Sequence, residues 1–596
     1  MASASKQYGV SPPISTALPE QNDVEKNAEL VEELKRENNY ETQDETKKRM
    51  ATLGTLQRCV IEFVKEVSRS QRLPESQIAQ FGGKVYPYGS YRLGVYGPGS
   101  DIDTLAVAPR HIKRADFFEH FPNILRRMVP ESSIGYLIPV VDAFVPIIKM
   151  LLNDIEIDLI FASIETLSTI PKDLSLNDNK LLDGMDQASI RAITGPRVTD
   201  EILAQIPEAK TFRTALRAIK LWAQRRAVYA NIVGYPGGVA WAMLVARVCQ
   251  LYPHAVGATI VHKFFFVMKD WKWPIPVMLK EIEQGNGKEK VWNPQIYPGD
   301  RKNIMPIITP AYPSMCSTYN ISKSGKAVIL RELERGSKIT QEIFFGKGKW
   351  SDLFQKHTFF TKDHKYYLSV IVSAKDPDQV KAWGGMVESK VRVLVMQLEL
   401  QNDQISLARP FVKGFSRAHH CDDDAQRMEV RKGSMKYKVE QTKIVENGNP
   451  GLVVDGDATG ASGGDSPTPG GNFNTYTFYI GIDLTPQAQK NLNISAAISY
   501  FKNVCQGWQS YDPNLHFIDA VPVKAHELPD DLFDKKLGET KPVKPVKKIF
   551  KQQKPLARGT EEAENLVNGD SKRQKTGTET PTPAPTQSQT PTPAAA

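Results

Sequence analysis

Val85–Leu105 reads V-Y-P-Y-G-S-Y-R-L-G-V-Y-G-P-G-S-D-I-D-T-L, and the rest of the chain is organised around this stretch. Alternate residues of a strand share a face, so Asp101 and Asp103 point the same way while Ile102 faces a core. Two adjacent carboxylates repel each other unless a cation lies between them, and Mg²⁺ prefers such oxygen ligands. At Gly89-Ser90, glycine lets backbone N–H groups approach a phosphate and serine adds a hydroxyl. The stretch therefore predicts a site for phosphate and metal.

A third carboxylate is expected from Ile155–Phe161, which alternates like a strand. Glu156 and Asp158 share a face of that strand, and the alternation alone does not decide which one turns toward the pair. Asp158 precedes the unbroken apolar run Leu159-Ile160-Phe161, so it lies nearest the buried part of the strand. We therefore predict Asp158 as the third ligand. A lone Asp-x-Asp is common on solvated strand edges, and the Gly-Ser turn ahead of it makes the pattern specific.

These motifs resemble a known family. A Gly-Ser turn, ten residues, Asp-x-Asp and a later Asp in an apolar strand resemble the DNA polymerase β-like nucleotidyltransferases. Three longer segments resemble the fungal-type eukaryotic nuclear poly(A) polymerases: the stretch from Tyr88 to Asp103, F-R-T-A-L-R-A-I-K-L-W-A-Q-R-R from Phe212, and G-G-V-A-W-A-M-L-V-A-R from Gly237. The resemblance extends from about Tyr8 to about Pro529.

The resemblance implies a template-independent polynucleotide adenylyltransferase, which adds AMP from ATP to RNA 3′-OH ends. It implies two Mg²⁺ ions, with Mn²⁺ as an alternative, on the catalytic residues Asp101, Asp103 and Asp158. The aspartate pair would bridge both ions, and Asp158 would complete the ion that activates the RNA 3′-hydroxyl for in-line attack on the α-phosphate.

The resemblance also implies substrate contacts. Those to ATP are Tyr88, Gly89, Ser90, Asp101, Ile102, Asp103, Asp158, Lys220, Tyr229, Gly238 and Val239. Those to RNA are Lys149, Asn231, Lys390 and Arg392, although a snorkelling surface lysine at 149 and a solvated helix face at 390–392 are alternatives. Lys220 and Tyr229 are nine residues apart, about 180° around an unbroken helix. Both can touch one nucleotide only if the helix ends near Arg226.

Composition sets the broad class. A chain of 596 residues is expected to form about three to four domains. With 41% hydrophobic and 24% charged residues it is typical of a soluble globular protein. Its five cysteines are scattered, which favours reduced thiols in an intracellular protein. We expect no secretory signal and no membrane span.

Pattern and resemblance together predict an α+β multidomain fold. Residues 1–22 are expected to pack on the central domain, and 23–207 to form a nucleotidyltransferase palm, a mixed sheet with helices that includes a strand over Val140–Met150 interrupted at Pro146. Residues 208–355 are expected to form a helical central domain. The βαβ…βαβ order of 356–529 predicts an RRM-like, ferredoxin-like sandwich with a disordered insertion at 445–472. Residues 530–596 are expected to be a disordered basic tail.

Net charge adds a prediction about location. The chain carries +9, and most of that charge lies in the tail. Basic runs at 541–554 and Lys572–Lys575 are typical of nuclear-import signals, with a solvated tail as the alternative. The resemblance implies a nuclear protein, monomeric on its own, that meets components of the cleavage and polyadenylation machinery. Two other functions stay open, a uridylyl- or CCA-adding enzyme and a non-catalytic RNA-binding scaffold.

Overall fold

The structure, a computed structural model, describes residues 8–285, 287–374, 377–439, 471–488 and 492–544. Most of the predicted insertion, most of the basic run at 541–554 and the one at Lys572–Lys575 lie outside these residues. Within the described part of the chain, no helix has both the length and the apolar character needed to cross a membrane.

A five-stranded mixed sheet carries the Asp-Ile-Asp motif. Its strand order is β1-β2-β5-β4-β3, with β2 and β5 parallel and the other neighbours antiparallel. The strands are β1 Lys84–Pro87, β2 Ile102–Pro109, β3 Ile134–Val140, β4 Ile147–Leu152 and β5 Ile155–Ile164. The strand predicted over Val140–Met150 is interrupted at Pro146 as expected, but it begins too early, because residues 141–146 form a turn between β3 and β4. Pro146 cannot donate a ladder hydrogen bond, which favours that turn.

Helices cover both faces of this sheet. The helices of this half of the chain are α1 Gln21–Arg36, α2 Gln43–Ser70, α3 Glu75–Phe81, α4 Gly89–Leu93, α5 Arg114–Met128 and α6 Gln187–Ala204. One face packs on α2 and α5, where the ring of Phe117 stacks on Phe161 with centroids 5.0 Å apart. Ile102 is buried in that core, whereas Leu105 belongs to the core beneath α6. Asp103 therefore faces the α6 side, as the predicted alternation requires.

The middle of the chain is helical, as predicted. Its helices are α7 Ala209–Arg225, α8 Gly238–Leu251, α9 Gly257–Lys269, α10 Pro298–Arg301, α11 Lys323–Phe344 and α12 Trp350–Leu353. Trp222 of α7 packs edge-to-face on Trp241 of α8, with centroids 5.5 Å apart. Both indoles lie in the central core.

The first helix packs in this central bundle and not on the palm, which corrects the predicted boundary at residue 23. Leu30 and Leu34 of α1 are fully buried in the central core. The Asn27 side chain accepts a hydrogen bond from the N–H of Ala258, 3.1 Å away, at the start of α9. The preceding segment also contacts this region, where the Ile14 N–H donates to the Leu251 carbonyl at 2.8 Å. A charged helix with one narrow apolar stripe does not reveal which neighbour covers that stripe.

The C-terminal region is the predicted sandwich. Its elements are β6 Tyr366–Ala374, α13 Pro377–Gln401, β7 Ile405–Pro410, β8 Phe415–Cys421, α14 Asp424–Arg431, β9 Gly471–Leu484, α15 Ser495–Gln506 and β10 His516–Lys524. The antiparallel order β10-β6-β9-β7 places the last and third strands beside the first, as in a ferredoxin-like fold. The sequence did not predict β8 or α14, whose residues are mostly polar. Because β9 begins at Gly471, the predicted insertion at 445–472 ends too late.

The ordered chain also continues past Pro529, where a disordered tail was predicted. Leu532 and Phe533 are buried in a core with Phe360 and Tyr367. Asp531 forms an ion pair with the buried Arg417, with 2.9 Å between the carboxylate and Nε. Two apolar residues and one acidic residue in a Lys- and Pro-rich segment do not form a pattern from which continued folding could be predicted.

Asp531→Ala should destabilise the C-terminal region, because it leaves the charge of Arg417 buried and unpaired. The Arg417 side chain is 3% exposed. We expect the free energy of unfolding in urea to fall by about 2–4 kcal/mol. Asp530→Ala is the matched control, since that side chain is 80% exposed in its pair with Lys541 and should cost less than about 1 kcal/mol. Equal losses in the two variants would contradict the prediction.

Candidate active site

Three aspartates converge at one end of the parallel strand pair. The register places Asp103 of β2 beside Asp158 of β5, and Asp101 directly precedes β2. Carboxylate oxygens of these three residues lie within 4.8 Å of one another. In the described ranges this is the one group of three or more His, Cys, Asp or Glu side chains close enough to share a metal ion. The structure thus brings Asp158 to the pair and leaves Glu156 outside the cluster.

Burial and nearby negative charges raise the pKa values of two aspartates in this cluster. Burial raises the pKa of Asp103 to about 7, with further contributions from Asp101 and Asp158. Burial also raises the pKa of Asp158, although Lys149 opposes the shift from 3.1 and 3.2 Å to its two carboxylate oxygens. Hard oxygen donors that repel one another in a buried site are suited to a divalent cation such as Mg²⁺.

The Gly-Ser turn packs directly against Asp103. Gly89 has a φ of +60°, and a Cβ there would lie 2.4 Å from a carboxylate oxygen of Asp103. The Gly89 N–H donates to the Thr199 hydroxyl at 3.2 Å, a contact of α6 that the sequence did not indicate. The Tyr88 N–H donates to the Asp103 carbonyl at 3.0 Å. Glycine is therefore required at 89, because the turn and the carboxylate share the same space.

The helix that carries Lys220 ends near Arg226, as it must if Lys220 and Tyr229 are to contact one nucleotide. α7 ends at Arg225, and Ala227 then takes a φ of +53° that reverses the chain. Lys220 and Tyr229 both come within electrostatic range of Asp101 and Asp103. Burial and then those two carboxylates raise the pKa of Tyr229 to about 12. Burial lowers the pKa of Lys220, and Asp101 opposes that shift.

Glycine at the start of α8 makes room for Tyr229. A Cβ at Gly238 would lie 2.6 Å from the Tyr229 hydroxyl. Val239, the next residue, is 41% exposed. Ile102, in contrast, is fully buried on the opposite face of the sheet. The burial of Ile102 agrees with the predicted alternation, and its contact with ATP stays a prediction.

The predicted RNA contacts are not all brought together. Lys149 lies beside Asp158 on the neighbouring strand. The Asn231 side chain donates to the Ser317 carbonyl at 2.9 Å and thereby fixes a turn ahead of α8. Lys390 and Arg392 are two residues apart on α13, so they point about 200° apart, on different faces of the helix.

Arginines on α7 also hold the segment that follows the Gly-Ser turn, although the sequence did not single them out. Arg217 donates to the carbonyls of Gly94 and Tyr96 at 3.1 and 2.7 Å, and Arg213 donates to that of Leu93 at 3.1 Å. Their spacing from Lys220 places all three cations on one face of α7. Such spacing on a helix is the signal that could have identified them.

Three protein-family models match the chain almost end to end. They are the nucleotidyltransferase domain of poly(A) polymerase at 9–206, its central domain at 211–356 and its predicted RNA binding domain at 358–544. This chain belongs to the poly(A) polymerase family. The predicted family and fold class are confirmed, and the family membership makes the chain a nucleotidyltransferase.

Fungal members of the family are similar over most of their length. The chain is 44% identical over 549 residues to Poly(A) polymerase PAPa of Candida albicans, covering 91% of this chain and 95% of that protein. It is also 44% identical over 549 residues to Poly(A) polymerase pla1 of Schizosaccharomyces pombe, covering 90% and 95%. A crystal structure of the Cid1 poly(U) polymerase covers 56% of this chain at 15% identity, with a TM-score of 0.35.

Asp103→Asn should stabilise the metal-free protein at high pH. The pKa of Asp103 is raised to about 7 in the fold, so the folded protein holds a proton that the unfolded chain has lost. Stability therefore falls as pH rises from about 4 to 7, and asparagine removes that cost, on the order of 4 kcal/mol. In EDTA we expect a higher unfolding temperature for the variant at pH 8 and a shrinking difference toward pH 5.5. Asp142→Asn, in the exposed turn after β3, controls for the lost charge, and equal unfolding temperatures at pH 8 would contradict the prediction.

Asp158→Asn and Glu156→Gln separate the two acids that share a face of β5. We expect Asp158→Asn to weaken Mg²⁺ binding by about tenfold or more, because one of three ligands is lost. Glu156→Gln should bind Mg²⁺ within about threefold of the wild type, because a residue outside the cluster acts only through its charge. Calorimetric titration of the metal into each protein measures both. A larger loss in Glu156→Gln would show that the wrong acid has been assigned.

Proposed function

We propose that this chain is a template-independent polynucleotide adenylyltransferase, which adds AMP from ATP to RNA 3′-OH ends during mRNA polyadenylation. The observation that carries the proposal is the cluster of Asp101, Asp103 and Asp158 facing Lys220 and Tyr229, in a member of the poly(A) polymerase family. Carboxylates on one side and a lysine and tyrosine on the other provide the charges that a nucleoside triphosphate with its metals needs.

The aspartates would hold two Mg²⁺ ions, and Mn²⁺ suits the same donors. When bound, the ions supply activation of the RNA 3′-hydroxyl and neutralisation of the charge on the leaving pyrophosphate. Asp101 and Asp103 would serve both ions and Asp158 one. Burial first, and then the charges of Asp101 and Asp158, raise the pKa of Asp103, and a bound cation would offset both effects, which favours metal binding at the cluster.

The residues around the aspartates bind and orient the substrates. Lys220 and Tyr229 bind the triphosphate from the α7 side, and Gly238 and Val239 lie next to it at the start of α8. Because the Gly89 N–H already donates to Thr199, the phosphate contact of the turn falls to Ser90. Lys149 approaches Asp158 from β4, which supports its proposed contact with the RNA 3′ end on that side of the cluster. Catalysis then rests on positioning and charge neutralisation, with no nucleophilic side chain.

The cellular setting is also a proposal. The basic runs at 541–554 and Lys572–Lys575 support import into the nucleus. There we propose that the protein, a monomer on its own, acts with components of the cleavage and polyadenylation machinery, on RNA 3′ ends that Lys149 and Asn231 help to bind.

Extension of a labelled oligo(A) primer by the purified protein with Mg²⁺ and each NTP in turn tests the activity. We expect long tails with ATP alone, and a loss of at least about a thousandfold in Asp103→Ala, because no other side chain can replace a shared metal ligand. Asp142→Ala is the matched control and should extend normally. Extension with UTP or CTP would identify a uridylyl- or CCA-adding enzyme, and primer binding without extension would identify a scaffold.

A further inference from the structure

The turn that presents Tyr229 is held by residues far from it in the chain. Arg226 directly follows the last residue of α7, and its guanidinium binds both carboxylate oxygens of Glu332 on α11, at 2.8 and 3.0 Å. The same group donates to the carbonyls of Gln355 and Lys356 at 3.1 and 2.9 Å. Arg226 and Glu332 are both buried. The end of α7 is therefore fixed by α11 and by the segment that leads into the C-terminal sandwich.

The sandwich itself adds one more contact. Arg409 of β7 donates through one nitrogen to Asp363, at 2.8 Å, and through another to the carbonyl of Arg226, at 3.2 Å. The Arg409 side chain is 2% exposed. Its guanidinium also lies 5.2 Å from the ring centroid of Phe359. A carbonyl at a helix end has no partner within the helix, and here a side chain from another domain supplies it.

The position of that carbonyl matters for the nucleotide site. It belongs to the residue just before Ala227, where the chain reverses with φ at +53°. Tyr229 follows two residues later, and its hydroxyl packs against Gly238 so closely that no Cβ would fit. A small rotation at the end of α7 would therefore shift Tyr229 relative to Gly238 and to the aspartates that it faces.

We infer that Arg409 is a positioning residue for the ATP site, which acts by holding the Arg226 carbonyl and thereby fixing the turn that presents Tyr229. The C-terminal sandwich thus contributes to nucleotide affinity without touching the nucleotide. This inference rests on the proposed function, because it assigns Tyr229 to ATP.

The chain offers a matched control in the same sandwich. Arg417 of β8 is 3% exposed and donates to both carboxylate oxygens of Asp531, at 2.9 and 3.0 Å. It also donates to the Tyr479 hydroxyl at 3.2 Å. Arg417 and Arg409 are thus both buried and each paired with an aspartate, by two hydrogen bonds for Arg417 and one for Arg409. Of these two arginines, Arg409 is the one with a described hydrogen bond to the end of α7.

Arg409→Lys and Arg417→Lys separate positioning from stability. A lysine can keep the ion pair with the aspartate, but it lacks the rigid fork that reaches a second acceptor. We expect both variants to fold, because no buried charge is left without its partner. In primer extension we expect Arg409→Lys to raise the KM for ATP by about tenfold, with kcat and the KM for primer within about twofold of the wild type. Arg417→Lys should leave all three unchanged. Calorimetric titration of ATP without primer should show the same tenfold loss of affinity in Arg409→Lys alone.

A double-mutant cycle with Tyr229→Phe shows whether Arg409 acts through the tyrosine. Tyr229→Phe should raise the KM for ATP, and adding Arg409→Lys to it should raise the KM little further, because both changes remove the same contact. If the two changes multiply the KM for ATP independently, the inference is wrong. It is also wrong if Arg417→Lys raises the KM for ATP as much as Arg409→Lys does. A wild-type protein that fails to extend the primer with ATP would overturn the proposed function instead.

Discussion

Repulsion among three carboxylates is the constraint on which the catalytic region depends. Parallel pairing of β2 with β5 sets Asp103 and Asp158 side by side, and Asp101 joins them from the loop before β2. No local preference of the chain favours three adjacent carboxylates. Burial increases the cost of their negative charges, and the pKa of Asp103 is raised as a result. The arrangement persists because the opposite face of the same strands is locked into an apolar core of Phe63, Phe117 and Phe161. The cations that the protein itself supplies, Lys149 and Lys220, offset the repulsion only in part.

A helix, α7, connects this strained cluster to the rest of the molecule. Two of its arginines, Arg213 and Arg217, bind carbonyls of the segment after the Gly-Ser turn, and Lys220 on the same face of the helix faces the aspartates. Because the same helix ends sharply at Arg225, the chain can return Tyr229 to the same side. One helix thus fixes the distance between the metal-binding side and the triphosphate side of the site. A buried ion pair with α11 and a hydrogen bond from Arg409 of β7 hold its end, where an unsupported turn would be free to move.

Several features of the site could be predicted from the sequence because they depend on local geometry. Alternation along a strand placed Asp101 and Asp103 on one face and Ile102 on the other, and the structure agrees. Helical spacing showed that Lys220 and Tyr229 could meet only if a helix ended near Arg226, and it ends at Arg225. Other predictions were wrong because the outcome depends on residues far away in the chain. α1 packs on the central helices and not on the palm, Leu532 and Phe533 extend the fold past Pro529, and a turn occupies the first part of the strand predicted over Val140–Met150.

Long motifs of the sequence resemble a known family from about Tyr8 to about Pro529. The sequence by itself also determined that Asp101 and Asp103 pair on one face and that a Gly-Ser turn precedes them. These follow from residue type and from short-range periodicity, which tertiary contacts do not change. The apolar run after Asp158 predicted it as the third ligand, but the tertiary structure was needed to place Asp158 and not Glu156 at the pair, because that placement depends on the register between two strands far apart in the chain. The tertiary structure likewise decided that Arg409 supports the turn before Tyr229. Its hydrogen bond to the Arg226 carbonyl joins residues 183 positions apart, and no local sequence pattern predicts such a contact.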